Sequence, residues 1–406
     1  MRIDAVAGAN GRSIVVIGDL VEGWPPHDLG AQELDRLALD GLEPPQPAPE
    51  TEPPPPVIGG YLERLPLSCV AAGLAAQAEI WHFARSHDLP PTRHESPWLT
   101  RRVFRLDREG APFSSTHMLR HIERFGAPAI LVVLGLGVNE RVLDACETSF
   151  KVYNSIDAPS LRVPPDVSRH FDLVLTGAEW QSAEVEARHP GMATAVMPIG
   201  PEFADPETFR PLGTDKPYDV VYVAAAQGYK RHDILFDALA SAPRPLRALC
   251  VFGYGEMGEA LRREAHERGL QVDFVGPPGV PFAEVNALMN QARIGVVCGV
   301  DDGAPAILTE YMLAGLPVLA NEKLACGLHF IRPETGRAAP AERFGEALVA
   351  MLDDLGRFRP REAVLENWIW PRTVERFGAL VQRKASGACR MAASDVPLSR
   401  FAPAPD

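Results

Sequence analysis

The sequence predicts an α/β protein of two domains, each built on a parallel sheet. Short apolar runs typical of buried strands alternate with helical patterns along almost the whole chain, as in sheets whose strands are connected by helices. The pattern stops at residues 203–216, where prolines, charges and a glycine take its place. We therefore expect one domain over residues 1–203, a second over 204–384, and a disordered tail over 385–406.

The composition argues against several classes of protein. The 406 residues are 46% hydrophobic and 23% charged, as in ordinary soluble domains, and carry a formal charge of −13. That charge argues against a nucleic-acid partner and, less strongly, against docking on an anionic membrane. No apolar run approaches the roughly 18–20 residues of a spanning helix, and residues 1–12 lack the apolar segment of a signal peptide. We expect a cytoplasmic protein with no transmembrane segment.

The cysteines are scattered, and no two of them form a C-x-x-C pair. Most lie in apolar surroundings, which favours reduced, buried thiols over disulfides or a metal site. They are Cys69, Cys146, Cys250, Cys298, Cys326 and Cys389.

The apolar runs place the strands of both domains. In the first domain we predict strands over residues 13–18, 78–84, 102–106, 129–134, 151–154, 171–176 and 193–198. In the second domain we predict them over 218–224, 247–252, 272–275, 294–298 and 318–320. Helices are expected between the strands, among them one over 61–77 and a final amphipathic one over 368–382.

A proline-rich stretch, residues 46–57, cannot form a core and is expected to be extended or disordered. It belongs to a longer segment, residues 19–58, that separates the first strand from Gly59 and Gly60. A glycine pair before a helix is expected directly after a first strand that faces phosphate. We therefore interpret 19–58 as an insertion placed to shape a ligand crevice, with an unstructured spacer as an equally good interpretation.

Two carboxylates, Asp302 and Glu310, frame the start of a predicted helix. The segment follows the strand at 294–298, and the helix is expected to begin near Pro305. Free N–H groups at a helix start bind anions, and a carboxylate on each side could accept from the hydroxyls of a sugar and a ribose. The pattern suits a nucleotide sugar. In the alternative, Asp302 only caps the helix and Glu310 is a solvated helix residue.

Three other strand ends of the second domain carry weaker signals. Lys230 and Arg231 follow the strand at 218–224, where a cation could neutralise a diphosphate. Gly253 lies in a glycine turn, and Val275 ends a strand where a base could bond to the backbone. Each signal alone is more often an ordinary surface charge, turn or strand end.

In order and spacing these motifs resemble those of the retaining GT-B glycosyltransferases of group 1, glycosyltransferase family 4. The shared features are a strand–turn–lysine segment at Lys230, a glycine turn at Gly253, and a Phe-x-Gly strand end around Val275. The fourth is a Glu-x7-Glu motif, for which this chain has Asp302 and Glu310. Several weak motifs in one order are much more specific than any one of them.

The resemblance is continuous from about residue 197 to residue 336 and looser in the first half. It implies a GT-B fold, in which two Rossmann-like domains with parallel sheets face across a cleft. It implies transfer of a sugar from a nucleotide-diphosphate sugar to an acceptor with retained configuration, without a metal or cofactor. The nucleotide would bind mainly to the second domain and the acceptor mostly to the first.

The resemblance also assigns roles to residues. Lys230 and Asp302 would be catalytic, the lysine by stabilising the leaving diphosphate and the aspartate by facing hydroxyls of the transferred sugar. Glu310 would bind the donor ribose and Thr309 would lie at the diphosphate. Asp157 would face the acceptor, with a structural role as an equally good interpretation. The remaining predicted substrate-binding residues are Gly303, Ala304, Pro305, Arg231, Gly59, Gly60, Gly253 and Val275.

Several positions depart from the family. The arginine usual five residues before the lysine is Ala225, so either Arg231 replaces it or the leaving group is less stabilised. Asp302 replaces a glutamate, Pro305 stands where glycine is usual, and Ile156 stands where a histidine is often found. A catalytically weak GT-B protein, acting as partner or regulator of an active enzyme, therefore stays an alternative. Another GT-B sugar-nucleotide enzyme, such as an epimerase, is a further one.

Overall fold

The computed structural model describes residues 13–22, 42–49, 52–85, 92–108 and 110–385. The chain divides into two compact units. Unit 1 comprises Met1–Pro55, Cys69–Met197 and Arg376–Asp406, and unit 2 comprises Pro56–Ser68 and Pro198–Glu375. The boundary after Met197 lies close to the one predicted after residue 203. The assignment of 56–68 to unit 2 is not part of the prediction, and residues 386–406 of the predicted tail lie outside the described residues.

Unit 1 contains, in its described part, an eight-stranded sheet. Its strands are β1 (Ser13–Glu22), β2 (Gln77–Ala84), β3 (Thr92–Ser96), β4 (Leu99–Arg105), β5 (Ile130–Leu134), β6 (Phe150–Asn154), β7 (Leu173–Thr176) and β8 (Ala193–Val196). They lie in the order β3-β4-β2-β1-β5-β6-β7-β8, and neighbours are parallel except β3 with β4. β2 and β5 are buried at every residue, as expected of central strands covered on both faces.

Unit 2 contains a six-stranded sheet in which the neighbouring strands are all parallel. Its strands are β9 (Tyr218–Val223), β10 (Ala248–Val251), β11 (Val272–Val275), β12 (Ala292–Val297), β13 (Val318–Asn321) and β14 (Gly336–Ala339). They lie in the order β11-β10-β9-β12-β13-β14. Counted from β9, this is the 3-2-1-4-5-6 order of doubly wound nucleotide-binding domains.

Helices connect most of these strands. In chain order they are α1 (Arg64–Ala71), α2 (Thr116–Phe125), α3 (Glu140–Ala145), α4 (Pro165–Ser168), α5 (Glu179–Arg188), α6 (Ile199–Glu202), α7 (His232–Ser241), α8 (Gly258–Glu267), α9 (Phe282–Asn290), α10 (Ile307–Leu313), α11 (Phe344–Leu352), α12 (Pro360–Asn367) and α13 (Trp370–Ala385). The prediction of two α/β units with parallel sheets is confirmed, and every predicted strand is present. The helix predicted over 61–77 is shorter, because Gly73 adopts a left-handed φ of 73° just after it ends.

Strand β1 is longer than predicted. It continues to Glu22, so the strand end expected at Gly18 is wrong. The register of β1 against β2 shifts between Ile17 and Val21, which marks a bulge that carries the strand onward. Asp19 therefore belongs to the sheet and not to the predicted insertion.

Part of the 19–58 segment, residues 42–49, is hydrogen-bonded to the sheet of unit 1. Residues 42–49 form neither helix nor strand. The buried Arg102 side chain donates to the carbonyls of Glu43 (3.0 Å) and Pro44 (3.1 Å), and Gln77 donates to that of Pro47 (2.9 Å). Residues 23–41 and 50–51 lie outside the described residues, so the role of the insertion stays a prediction.

A glycine in β12 sets how closely α10 approaches the sheet of unit 2. A Cβ atom at Gly295 would overlap the ring of Tyr311. The tyrosine is fully buried, and its hydroxyl accepts a hydrogen bond from the backbone N–H of Val223 (2.7 Å) at the end of β9. This contact fixes α10 against the two central strands.

The thiols of the described cysteines are buried and free, as predicted. Burial raises the pKa of Cys146 and of Cys250 to about 12, which keeps both thiols protonated near neutral pH. Cys389 lies outside the described residues. None of the helices in the described part of the chain has the length and apolar composition that a membrane span requires.

Replacing Gly295 by alanine is expected to destabilise unit 2 by about 1–3 kcal/mol, because the added methyl group meets the Tyr311 ring in a packed core. Urea denaturation of the two proteins measures this difference. Gly356→Ala is the matched control, since nothing lies within 4 Å of a Cβ atom there, and it should change stability by less than about 0.5 kcal/mol. Equal stability of Gly295→Ala and the parent protein would contradict the packing described.

Candidate functional site

Lys230 and Asp302 are in contact at the point of the unit 2 sheet where the order of the strands reverses. Lys230 ends a short 3-10 helix that follows β9, and Asp302 lies in the loop after β12. These strands are neighbours, although β10 and β11 separate them in sequence. The Lys230 ammonium donates to Asp302 Oδ2, and the two side chains are 15% and 12% exposed. Open α/β sheets bind ligands at this switch point, at the carboxyl ends of the strands.

Aromatic packing supports the backbone of Lys230. The Tyr222 hydroxyl donates to the Lys230 carbonyl (2.6 Å), and the Tyr222 ring packs on His232 with centroids 4.8 Å apart. His232 in turn meets Phe252 edge to face at 5.3 Å. Burial lowers the pKa of His232 to about 4, with the nearby Lys230 adding to the shift and Asp233 opposing it. The imidazole is therefore neutral near pH 7.

The loop between Asp302 and α10 contains a residue in a left-handed conformation. Ala304 is buried and has a φ of 65°. Helix α10 begins at Ile307, near Pro305 as predicted, and Glu310 lies in its first turn. Gly303 pairs with Cys326 in an isolated β-bridge. The role of Gly303, Ala304 and Pro305 in binding a sugar stays a prediction.

Glu310 is paired with a cation that the sequence did not indicate. Its Oε1 accepts from the Nη2 group of Arg64, and the side chains of Arg64 and Glu310 are 2% and 7% exposed. Both residues belong to unit 2. A buried carboxylate needs such a partner, since an unpaired charge in an apolar interior is costly. The one local signal was an arginine within an apolar helix just after a glycine pair.

The same arginine brings the predicted glycine pair to Glu310. Arg64 Nε donates to the carbonyl of Gly59 (3.0 Å). Gly59 has a φ of 109°, and a Cβ atom there would lie 2.6 Å from Glu63 Cβ. The backbone N–H of Gly60 donates to Glu63 Oε2 (2.8 Å). Only glycine fits this turn at residue 59, and the turn lies next to the buried ion pair.

Thr309 precedes Glu310 in helix α10. It is fully buried, and its hydroxyl donates to the carbonyl of Pro201 (2.8 Å) within unit 2. The role of Thr309 at a diphosphate stays a prediction. Successive residues of a helix point about 100° apart, so Thr309 and Glu310 point in different directions from α10.

The glycine turn after β10 and the strand end after β11 are both formed, and the glycine that the packing of the turn requires is Gly255. Gly253 is exposed and has room for a side chain, whereas a Cβ atom at Gly255 would overlap the Ala226 backbone. The Val275 carbonyl accepts from Phe252 N–H (2.8 Å) within the sheet. The turn at Gly255 thus packs against the loop that precedes Lys230.

Arg231 is paired with Asp233 in this structure. It adopts a left-handed φ of 53°, and its guanidinium donates to the Asp233 carboxylate (2.7 Å). It lines a surface cavity of about 550 Å³ together with Asp237 and Arg268. Ala225 is buried. Lys230 and Asp302 therefore pair without help from Arg231.

Unit 1 has a polar cluster at its own switch point, between β1 and β5. Asp157, after β6, accepts from Arg162 (2.7 Å), and both side chains are partly exposed. Asp19 accepts from the backbone N–H of Leu136 (3.4 Å) after β5. Burial raises the pKa of the Asp19 carboxyl, the Leu136 hydrogen bond opposes this, and the charge of Asp157 adds to it. The prediction missed Asp19 because it ended the strand too early.

Comparison with protein families gives one match. Residues 205–352 match the family described as glycosyl transferases group 1. The matched segment contains Lys230, Asp302 and Glu310 and covers most of unit 2. It supports a glycosyltransferase domain there. A search of curated protein sequences gave no significant match.

Several solved structures are similar in fold. A sucrose-phosphate synthase from Thermosynechococcus elongatus has a TM-score of 0.63 at 17% identity, covering 93% of this chain and 100% of that chain. Anabaena HepE, solved with UDP and glucose, has a TM-score of 0.58 at 14% identity, and the match covers 91% of this chain and 99% of HepE. The pneumococcal O-GlcNAc transferase GtfA, solved with UDP and GlcNAc, has a TM-score of 0.54 at 12% identity, and the match covers 67% of this chain and 61% of GtfA. This chain thus spans about three fifths of GtfA, and these likenesses establish the GT-B glycosyltransferase fold.

The stability of the protein is expected to fall as the pH is lowered from about 6.5 towards 4, partly because of His232. The pKa of His232 is about 4 in the folded protein and 6.5 for an ordinary histidine. Between these two pH values the unfolded chain binds a proton at this residue and the folded chain does not. By the linkage relation, the contribution of one such group approaches about 1.4 kcal/mol per pH unit. Above pH 6.5 the contribution of His232 to the pH dependence of stability vanishes.

Denaturant midpoints measured across this pH range for the parent protein and for His232→Phe test this expectation. Phenylalanine keeps the aromatic contacts with Tyr222 and Phe252 and has no proton to bind. The variant should therefore lose less stability between pH 6.5 and 4 than the parent protein does. Identical pH slopes would show that His232 titrates normally in the folded state.

Proposed function

We propose that this protein is a retaining glycosyltransferase that takes its sugar from a nucleotide-diphosphate donor. The observation that carries the proposal is the contact of Lys230 with Asp302 at the switch point of unit 2, inside the segment that matches group 1 glycosyltransferases. A cation and a carboxylate at this position are the groups needed to bind a diphosphate and the hydroxyls of a sugar. Glu310 and the glycine turn at Gly59 lie in the same unit.

Lys230 would be the diphosphate ligand. In the ligand-free protein its charge is balanced by Asp302, and both side chains remain accessible to water. A diphosphate carries more negative charge than one carboxylate, so it would compete with Asp302 for the ammonium group. Asp302 would then be free to accept hydrogen bonds from the transferred sugar.

The reaction would break the bond between the sugar and the diphosphate and form a bond from the sugar to an acceptor oxygen on the same face. The leaving diphosphate gains charge as its bond breaks, and Lys230 would stabilise that charge. Among the described residues, no group of three or more potential ligands is arranged to hold a metal ion. Independence of metal and cofactor stays a prediction, as do acceptor contacts in unit 1 through Asp157.

A catalytically weak partner protein is the second candidate. It is favoured by Ala225 and by the pairing of Arg231 with Asp233, which leave Lys230 without the arginine expected beside it. Loss of one such charge typically costs about 3 kcal/mol of barrier. Such a protein would bind the nucleotide without turning over its sugar, whereas an epimerase would release an altered nucleotide sugar.

Isothermal titration with UDP, GDP and ADP tests the donor site first. Two of the similar structures contain UDP, so UDP is the first nucleotide to test. We expect at least one nucleoside diphosphate to bind, and to bind more weakly to Lys230→Met because a charge-assisted contact is lost. Arg244→Met, which removes an exposed ion pair in the same unit, is the control and should bind like the parent protein.

Incubation with the sugar nucleotide of the base that binds, followed by NMR of the products, then separates the candidates. Release of the sugar or its transfer with unchanged anomeric configuration supports the proposal, and Lys230→Met should lower the rate by about 10²–10³-fold. Binding without turnover would favour the partner protein. The donor-site proposal fails if none of the three nucleotides binds at millimolar concentration.

A further inference from the structure

Arg64 joins three segments of unit 2 through one buried guanidinium group. Its Nε donates to Gly59 O (3.0 Å), its Nη1 to Gly200 O (2.6 Å), and its Nη2 to Glu310 Oε1. The guanidinium also lies over the ring of Phe209, 5.8 Å from its centroid. With 2% of its side chain exposed, Arg64 is a component of the core and not a surface charge.

Only one oxygen of Glu310 is used by Arg64. Among the described residues, Oε2 of Glu310 takes no hydrogen bond, and 7% of this side chain reaches solvent. An ionised carboxylate has acceptor capacity on both oxygens. The carboxylate is therefore held at one oxygen and open at the other.

We propose that Arg64 is a positioning residue for nucleotide binding: it holds Glu310 by Oε1 so that Oε2 faces a ribose hydroxyl. The inference rests on the proposed function and adds a specificity determinant to it. Because the same guanidinium binds Gly59 O, the position of the glycine turn and that of the carboxylate are set together. Arg64 itself does not touch the nucleotide in this account.

A purely structural role for Arg64 predicts a different result. Loss of a buried ion pair would then lower the stability of the protein and weaken the binding of every nucleotide to the same extent. A positioning role predicts that the affinity is lost only through the contacts with the ribose hydroxyls. A nucleoside diphosphate and its 2′,3′-dideoxy analogue differ only in those hydroxyls, so the ratio of their dissociation constants isolates the effect.

The chain offers a matched control in unit 1. Arg102 and Glu79 form a second buried pair, with Nε to Oε2 at 2.7 Å and both side chains 2% exposed. Arg102→Met should lower the melting temperature as Arg64→Met does, because each leaves a carboxylate unpaired in the interior. It should leave the ribose preference unchanged.

The experiment is calorimetric titration of the parent protein, Arg64→Met, Arg64→Lys, Glu310→Gln, the Arg64→Met/Glu310→Gln double variant and Arg102→Met. The ligands are the best-binding nucleoside diphosphate of UDP, GDP and ADP and its 2′,3′-dideoxy analogue. We expect the parent protein to prefer the ribonucleotide by about tenfold or more, the size of one hydrogen bond to a charged group. Arg64→Met and Glu310→Gln should each lose most of that preference, and the double variant should lose no more than either.

Arg64→Lys should keep part of the preference, since an ammonium can still reach one carboxylate oxygen but cannot bridge three acceptors. If Arg64→Met does not fold, a loss of preference in Glu310→Gln together with a partial loss in Arg64→Lys supports the proposal. A folded Arg64→Met or Arg64→Lys with the full ribose preference overturns it. If the parent protein binds a nucleotide without any ribose preference, the proposal fails while the proposed function stands. If the parent protein binds no nucleotide, both fail.

Discussion

Strands β9 and β12 lie side by side in unit 2, although two other strands separate them in sequence. The contact of Lys230 with Asp302 depends on this adjacency, because it brings the loops after both strands to one edge of the sheet. The contact of Gly295 with the Tyr311 ring, and the hydrogen bond from Val223 to the Tyr311 hydroxyl, fix helix α10 over the same two strands. Lys230 and Asp302, remote in sequence, can therefore meet.

The two ion pairs at the candidate site differ in burial, and this difference suits different tasks. The pair of Lys230 with Asp302 keeps 15% and 12% of its side chains exposed, so an incoming anion can reach the ammonium. The pair of Arg64 with Glu310 is nearly closed to solvent. Breaking such a pair leaves an uncompensated buried charge, at a cost of about 3–5 kcal/mol. We therefore regard the first pair as exchangeable with a ligand and the second as a fixed part of the site.

Local patterns predicted the strands and the position of the switch point, but not the contacts made over long sequence distances. The apolar runs located every central strand, whereas β3 and β14 were missed because one is polar and the other consists of small residues and an arginine. Nothing in the sequence indicates that Ala304 adopts a left-handed conformation just before α10. The pairing of Arg64 with Glu310 was not predicted, since the two residues lie 246 positions apart in the sequence.

The most direct test of this account is a structure of the protein with a nucleoside diphosphate bound. A phosphate oxygen should lie within hydrogen-bonding distance of Lys230 Nζ. A ribose hydroxyl should lie on Glu310 Oε2, with Arg64 still bonded to Oε1. A nucleotide bound elsewhere on the protein, or a Glu310 carboxylate released from Arg64 when the nucleotide binds, would contradict it.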